Sequence, residues 1–571
     1  MLAQSQEIKM EGSVKGDCDM QPQLSDGPPS KDESNSTESS ELVTDNLQWK
    51  PGSQVIVILT TLSCISFIIA VDAMILVPAL PTLARELGAT SVATFWAGSS
   101  FLLAHSVFLP FIGALSDIFG RRELLLASIS LFTAGTIICV PANDITQLLA
   151  GRTVQGVGAG GMQVLSFIII SDIIPLRQRP KYGSCILLAW GIGAAVGPLL
   201  GGAIIENTTW RWIFYINFPF CALGLIVVPF TVLLKPEDQR TVRQNFLRVD
   251  WVGGGLFVAG ASTFLIGLTW AGVQYPWSSY QAWVPILLGG LAVVASIIYE
   301  KYAAPVPFLR LAVFSDISAA LIFFSTLIHG FLLFSHLYYL TFYYQSVREA
   351  HAVLAGVFVM AVNLTLFPSG ILTGVLITRF GTFLWAIRVG LAIATLGNGL
   401  LLLLNRTRPI VATVFILLVH AFGQGFLLTA LNIAAQAMGR TTDVAYAVTM
   451  FMFMRTFGMC LGVAIGGTVF GNVLLRALLK RNVPHAKEIS QNSEAYVETL
   501  KAMSPGPAKY AILDSYVEGF HGLFYLLISL SVLLLVLSLF IKQKTLDKEL
   551  DSAHKLMKKG DERGQQAEET V

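Results

Sequence analysis

The stretch GIGAAVGPLLGG, residues 191–202, holds five glycines and a proline inside a long apolar run. Glycine and proline are the poorest helix formers, so their presence where a helix is expected needs a physical reason. The 571-residue chain is 54% hydrophobic and only 13% charged, whereas soluble proteins carry about 25% charged residues. Apolar stretches of about twenty residues recur along the chain, and each is long enough to cross a bilayer as a helix. The sequence therefore predicts an integral membrane protein.

The predicted fold is all-α, with fourteen membrane-spanning helices. Buried strands run only about 4–8 residues, which the apolar segments clearly exceed. Residues 1–50 are rich in Ser, Asp, Glu, Gln and Asn and are expected to form a disordered tail. The predicted spans are 54–81, 92–115, 123–141, 145–172, 182–205, 211–234, 251–272, 282–299, 316–344, 352–378, 382–404, 409–437, 444–475 and 520–541.

Lysines and arginines concentrate in one set of short loops and in the C-terminal tail. An even number of spans places both tails on one side, and the positive-inside rule makes that side the cytosol. The opposite loops carry two acceptor-type sequons, at Asn207 and Asn405, which are candidates for N-glycosylation. Residues 476–518 are predicted to form an extracellular loop.

Three patterns from the first half of the chain return in the same order in the second half, which indicates two homologous six-helix halves. We expect these halves at 51–235 and 311–541, with two extra spans in a linker at 236–310 and a cytosolic tail at 542–571. Two pseudo-symmetric halves around a cleft are typical of alternating-access transporters. The paired patterns are 193–202 with 458–467, 113–120 with 374–381, and 155–156 with 424–425.

Several motifs resemble those of a known family. GALSDIFGRRELLL (113–126) resembles the signature after the second helix of the major facilitator superfamily, and RTVQGVGAGG (152–161) resembles its fourth-helix motif. GIGAAVGPLLGG (191–202) is similar to the fifth-helix motif of its antiporting branches. VDAMILVPALP (71–81) and WRWIFYINFP (210–219) resemble signatures of its fourteen-span drug:proton antiporters, especially fungal toxin-efflux members. The resemblance implies a major facilitator fold that exports small amphipathic compounds in exchange for protons.

The chain departs from the family pattern at three places. Met74 stands where the first-helix signature usually has threonine. In the C-terminal repeat, Val463 replaces Pro198 and Thr378 replaces Asp117, so the two halves are not functionally equivalent.

The glycine-rich stretch admits two interpretations. Gly193, Gly197 and Gly201 recur every four residues and form a smooth stripe that lets another helix approach closely, next to Gly202. Pro198 removes one backbone hydrogen bond and kinks the helix. The stripe either serves tight packing alone or lets a bent helix move against the C-terminal half, and the resemblance favours the second interpretation.

Asp72 is an ionisable residue inside a span, which is costly and therefore suggests a function. By helical rise it lies roughly 25 Å along an outward-running helix, and Arg152 lies roughly 10 Å from the outer edge of an inward-running one. The two side chains are therefore expected at similar depth. We predict a carboxylate that takes up and releases a proton, with a permanent structural ion pair as the alternative.

A charged turn follows the second span. Asp117 lies between the two glycines of this turn, Gly113 and Gly120, and Arg121 and Arg122 follow directly after Gly120. The superfamily pattern implies that this cluster holds the cytosolic side shut, and the alternative is a charge cluster that only sets topology.

Other polar residues inside the spans either line the cleft or bond only between helices. His329 and His336 share one helical face and either line a cavity or are satisfied packing histidines. Arg455 is expected to be buried with a partner. The candidates are Gln155, Asn217, His329, His336, Gln424, Asn432 and Arg455.

The sequence offers nothing for several other functions. It has no Walker GxxxxGK[ST], GxSxG or HExxH pattern, and its six cysteines stand singly. A net charge of +2 gives no sign of nucleic-acid binding. We expect no enzyme activity, cofactor or metal, and a functional monomer whose partners are a small-molecule substrate, protons and the bilayer.

Three functions stay open at this point. The first is a proton-coupled exporter in the plasma membrane, with a vacuolar membrane as the alternative location. The second is a proton-coupled importer or vacuolar transporter of a polar solute such as a basic amino acid. The third is a nutrient-sensing receptor that has the same fold but transports nothing.

Overall fold

A computed structural model describes residues 50–546, except for 77–78, 80–81, 84–85, 89–90, 234–241, 272–274, 305–306, 315, 351, 441–442, 492 and 494–495. Within this described part, fourteen helices are long and apolar enough to cross a membrane, and no β-strand longer than an isolated bridge occurs. The predicted all-α membrane fold is confirmed. The predicted N-terminal tail lies outside the described residues but for its last residue, as does the C-terminal tail beyond residue 546.

We label the spans α1 to α14 in chain order. A single helical turn, Trp212–Tyr215, precedes the sixth span. The spans are α1 Ser53–Ile75, α2 Ser91–Phe119, α3 Arg121–Cys139, α4 Ile145–Ile173, α5 Arg179–Asn207, α6 Asn217–Thr231, α7 Trp251–Trp270, α8 Tyr280–Tyr302, α9 Ile317–Ser346, α10 Ala352–Phe380, α11 Leu384–Leu401, α12 Ile410–Met438, α13 Val444–Lys480 and α14 Pro507–Leu537.

The loop predicted at 476–518 is wrong at both ends, because α13 and α14 extend into it and leave only 481–506 between them. In the structure, Nη1 of Arg481 lies 2.8 Å from Oε2 of Glu518, so an ion pair joins the extended ends of the two helices. Their charges are thereby accommodated in helical structure beyond the apolar core.

The C-terminal end of the described chain lies beside loops from the start of the second half. Nζ of Lys544 is 3.2 Å from Oδ2 of Asp316, and Oε1 of Gln543 accepts a 3.0 Å hydrogen bond from the amide of Leu384. With fourteen spans, the chain enters α1 on this same side. We call it the tail face, and the other side the opposite face.

The glycine-rich side of α5 packs against α1 of its own half. A Cβ at Gly197 would lie 3.1 Å from both the carbonyl oxygen of Val71 and the Cβ of Met74. The corresponding glycines of the C-terminal half pack in the same way. A Cβ at Gly462 of α13 would lie 2.5 Å from the carbonyl oxygen of Phe331 in α9. The stripe therefore brings helices together within each half, as the packing interpretation predicts.

Contact between α5 and the C-terminal half comes from residues beside the stripe. The ring of Trp190 lies 6.2 Å from that of Phe367 in α10, whereas Gly193 meets the α1 backbone. Pro198 stands half-buried within the continuous helix α5. The stripe therefore covers α1, while α5 meets the C-terminal half through neighbouring residues, and movement of the bent helix against that half stays a prediction.

Two equivalent glycines bring the halves together near the tail face. A Cβ at Gly113 of α2 would lie 2.6 Å from Oγ1 of Thr449 in α13, and one at Gly374 of α10 would lie 2.5 Å from the carbonyl oxygen of Pro180 in α5. The turn glycines that follow, Gly120 and Gly381, have φ angles of +94° and +68°. This left-handed region favours glycine, which explains why both repeats retain it.

We expect Gly113→Ala to reduce transport severalfold, because the new methyl group forces α2 and α13 apart where the halves close. Adding Thr449→Ala removes the conflicting Oγ1 and Cγ2 atoms and should restore most of the rate. Gly183→Ala in α5 is the control, because its Cβ would meet no atom within 4 Å. Initial transport rates at matched protein amounts measure the effect, and equal rates for all variants would contradict it.

Candidate functional site

The carboxylate of Asp72 is fully buried between α1, α4 and α6. Its Oδ2 lies 2.5 Å from Nη1 of Arg152, and its Oδ1 accepts a 2.7 Å hydrogen bond from Nδ2 of Asn217. The side chains of Asp72 and Arg152 are 0% and 1% exposed. The structure thus joins the two predicted residues directly and adds Asn217, which the sequence suggested only as a polar cleft residue.

Further contacts fix the guanidinium of Arg152. Its Nη1 donates a 2.9 Å hydrogen bond to Oε1 of Gln155, and its Nε donates one of 3.1 Å to the carbonyl oxygen of Ala97. Its carbon Cζ lies 4.3 Å from the centre of the Phe101 ring. These contacts bind one buried guanidinium to α1 and α2 and so fix the relative positions of α1, α2 and α4.

A second ion-pair cluster lies at the tail-face ends of α2, α3 and α4. Nε of Arg121 is 3.1 Å from Oδ2 of Asp172, and Nη1 contacts both Asp117 and, at 2.5 Å, Oγ of Ser116. Arg122 forms no ion pair within the described chain. The cluster therefore depends on Arg121 and includes Asp172. Sequence analysis missed Asp172 because it lies at the C-terminal end of α4, 51 residues beyond Arg121.

The two halves also touch each other on the tail side. Nη1 of Arg179 donates a 2.9 Å hydrogen bond to Oε1 of Gln436, and Gln436 donates one of 2.8 Å to Asn432. Nε of Arg177 donates to the carbonyl oxygen of Thr378 at 3.3 Å. Asn432, predicted to line the cleft, thus belongs to this closure between α5 and α12.

A third polar cluster lies between the halves, around Arg455 of α13. Its guanidinium is 5.6 Å from the centre of the Trp190 ring, and its Nε and Nη2 have no hydrogen-bond partner among the described residues. The main chain of Arg455 packs against Gly330 of α9, next to His329, and His105 of α2 lies within electrostatic range of Arg455. Nε2 of His329 lies 3.3 Å from the main-chain oxygen of Gln424. We call these five residues the central cluster.

Arg455 is expected to be buried with a partner, and the structure buries it against the ring of Trp190. The central cluster also contains two residues, His105 and Trp190, that sequence analysis did not select. Both ring nitrogens of His105 and both polar side-chain atoms of Gln424 are buried without a hydrogen bond in the described part of the chain. Buried polar groups are normally satisfied, so these atoms are candidates for contact with a ligand.

His336 lies away from this cluster, against His420. The two ring centres are 3.9 Å apart, and Nδ1 of His336 lies 2.5 Å from the carbonyl oxygen of Leu332. His329 and His336 thus share one helical face as predicted from their spacing, and His420 of α12 lies near both.

Two buried carboxyl groups at the inserted helices were not predicted. Oδ1 of Asp250 caps α7 by accepting from the amide of Gly253, and Oε2 of Glu300 accepts from the amide of Leu309. The remaining oxygens, Asp250 Oδ2 and Glu300 Oε1, both contact the Cβ position of Gly253, so the two carboxyls face each other there. Each lies at a helix end, where an acidic residue attracts no attention in a sequence.

The two sequons lie on the opposite face. Asn207 is exposed at the end of α5, and Asn405 is half-buried, with its Oδ1 accepting from the amide of Thr407 at 3.1 Å. Among the described residues, no group of three or more His, Cys, Asp or Glu side chains is arranged to hold a metal ion.

Comparisons with known proteins agree with this fold. The sequence profile of the Major Facilitator Superfamily matches residues 62–463. The MFS transporter L2 of Phoma sp. is 38% identical over 520 residues, which cover 90% of this chain and 87% of that protein. The MFS-type efflux pump LUC4 of Fusarium sp. is 31% identical, covering 91% and 93%.

Among solved structures, the proton:xylose symporter XylE superposes with a TM-score of 0.55 at 13% identity, covering 87% of this chain and 98% of that one. At this identity the likeness shows the fold alone. The chain belongs to the major facilitator superfamily, a class of membrane transporters, and its predicted similarity to fungal efflux pumps is confirmed.

Proposed function

We propose that this protein exports small amphipathic compounds in exchange for protons by alternating access. The observation that carries the proposal is the fully buried pair of Asp72 and Arg152. It places one titratable carboxylate inside a span, balanced by an arginine from another helix. A proton bound by Asp72 weakens its attraction for Arg152, which couples proton uptake to rearrangement of the N-terminal half.

Contacts on the tail side support an alternating mechanism. Arg179 and Arg177 join α5 to α12 and α10 across the two halves. These are hydrogen bonds between neutral and charged groups, which can be broken and remade at modest cost. Their opening would give the substrate access from the tail face.

The export direction and the location rest on similarity and charge. Relatives over most of the chain are named efflux pumps. The basic residues of the loops on the tail face make this face cytosolic by the positive-inside rule. We place the protein in the plasma membrane as a functional monomer without a cofactor, and Asn207 and Asn405 as extracellular glycosylation sites.

Proteoliposomes with an acid interior test the exporter. An antiporter oriented inside-out accumulates an amphipathic dye from the outside as protons leave, and a protonophore abolishes the accumulation. We expect a rate at least tenfold above that of empty liposomes. In cells, gene deletion should cause compound accumulation and hypersensitivity. Reduced uptake after deletion would instead indicate an importer, and normal flux with lost nutrient signalling would indicate a receptor.

A further inference from the structure

We infer that Arg455 binds an anionic group, a carboxylate or an acidic enol, of the compound that the protein exports. This inference rests on the proposed function and specifies its substrate class. The residues that carry it are the central cluster: Arg455, Trp190, His105, His329 and Gln424.

The central cluster lies near the middle of the membrane. At a helical rise of about 1.5 Å per residue, each of its five residues lies about 16 to 21 Å along its helix from the tail-face end. The hydrocarbon core is about 30 Å thick, so this depth is close to its midplane. Trp190 and His105 come from the N-terminal half, and the other three from the C-terminal half. In major facilitator folds, the boundary between the halves is where a substrate is bound between them.

The arginine in this cluster has no acidic counterpart. No aspartate or glutamate occurs anywhere in α9 to α13. Asp72, in α1, is already engaged by Arg152 and Asn217. The local charge is therefore positive, which attracts an anion and repels a cation.

The other buried arginines of this protein have polar partners. Arg152 pairs with Asp72, and Arg121 pairs with Asp117 and Asp172. Arg179 donates to Gln436 and to the carbonyl oxygen of Ile174, and Arg177 donates to the carbonyl oxygen of Thr378. Arg455 exposes only 3% of its surface, yet its Nε and Nη2 have no partner in the described part of the chain. A buried charge without a partner is costly, and binding an anion would compensate that cost.

The neighbours of Arg455 indicate the shape of the ligand. A guanidinium presents a planar fork of donors that fits a carboxylate in two parallel hydrogen bonds. Gln424 and His105 add buried polar groups that have no hydrogen-bond partner in the described part of the chain. Trp190 and Phe367, whose rings lie 6.2 Å apart, offer an apolar surface on one side. This combination fits an amphipathic molecule with an acidic head.

Two dyes with the same xanthene ring system provide the test. Fluorescein carries a free carboxylate, whereas rhodamine 6G carries an ethyl ester and a positive charge. In the acid-loaded proteoliposomes, we expect the wild-type protein to accumulate fluorescein in preference to rhodamine 6G. Arg455→Gln should reduce fluorescein accumulation roughly tenfold to a hundredfold, the range for losing a hydrogen bond to a charged group. Arg455→Lys should lose less, because the charge remains.

Stability measurements separate binding from a structural role. We expect fluorescein to raise the melting temperature of the wild-type protein but not that of Arg455→Gln. Without ligand, Arg455→Gln should melt at or above the wild-type temperature, since it removes a buried unpaired charge. Arg476→Gln, which changes an exposed arginine on the same helix, is the matched control and should match the wild type in every assay.

The outcomes distinguish the two proposals. Accumulation of rhodamine 6G without fluorescein would overturn the anion site and leave the exporter intact. Wild-type fluorescein transport by Arg455→Gln, or a marked loss of its stability without ligand, would also overturn the site. Failure of both dyes to respond to the pH gradient would contradict the proposed exporter itself.

Discussion

Asp72→Asn should reduce pH-driven transport at least a hundredfold. The substitution keeps the shape of the side chain but removes the group that binds the proton. It also leaves the guanidinium of Arg152 buried without a counter-charge, which typically costs about 3–5 kcal/mol. We therefore expect a lower melting temperature together with the loss of coupling.

A double variant separates these two effects. Asp72→Asn combined with Arg152→Gln removes both charges and should recover stability, because a buried pair replaced by neutral groups is often tolerated. If Asp72 carries the proton, transport stays absent in this stable protein. Asp72→Glu should retain some coupling, because a carboxyl group remains. A well-folded Asp72→Asn protein with undiminished pH-driven transport would eliminate Asp72 as the carrier.

Arg121→Gln should destabilise the protein by about 3–5 kcal/mol, the usual cost of breaking a buried ion pair. Arg121 is 3% exposed and contacts both Asp117 and Asp172, so one substitution removes the cation from two carboxylates at the junction of α2, α3 and α4. We expect transport to fall with it, since this cluster adjoins the closed tail side.

Arg122→Gln is the matched control. It changes the same residue type one position further along, where no ion pair forms within the described chain, and it should alter stability by less than about 1 kcal/mol. Thermal unfolding of the purified variants and their initial transport rates provide the comparison. Equal losses in both variants would show that the pairs of Arg121 do not hold this junction together.

Much of the fold follows from local sequence properties. Length and hydropathy identify fourteen membrane helices, because each must satisfy its own backbone hydrogen bonds inside the bilayer. The glycine repeats also identify equivalent positions, as the positive φ angles of Gly120 and Gly381 demonstrate. The bounds of the segment 481–506 escaped prediction because helices α13 and α14 continue beyond their apolar stretches, which hydropathy alone does not indicate.

The amino-acid sequence by itself determined the class of protein and the number of spans, and it predicted two related halves. These properties depend on apolar length and on periodic glycines, which a single segment displays. Only the tertiary structure decided which residues meet. It joined Asn217 to Asp72, gave Asp172 to Arg121 and left Arg455 beside Trp190 without a carboxylate. Such contacts unite helices far apart in the chain, and their partners depend on how the bundle packs, which no local pattern encodes.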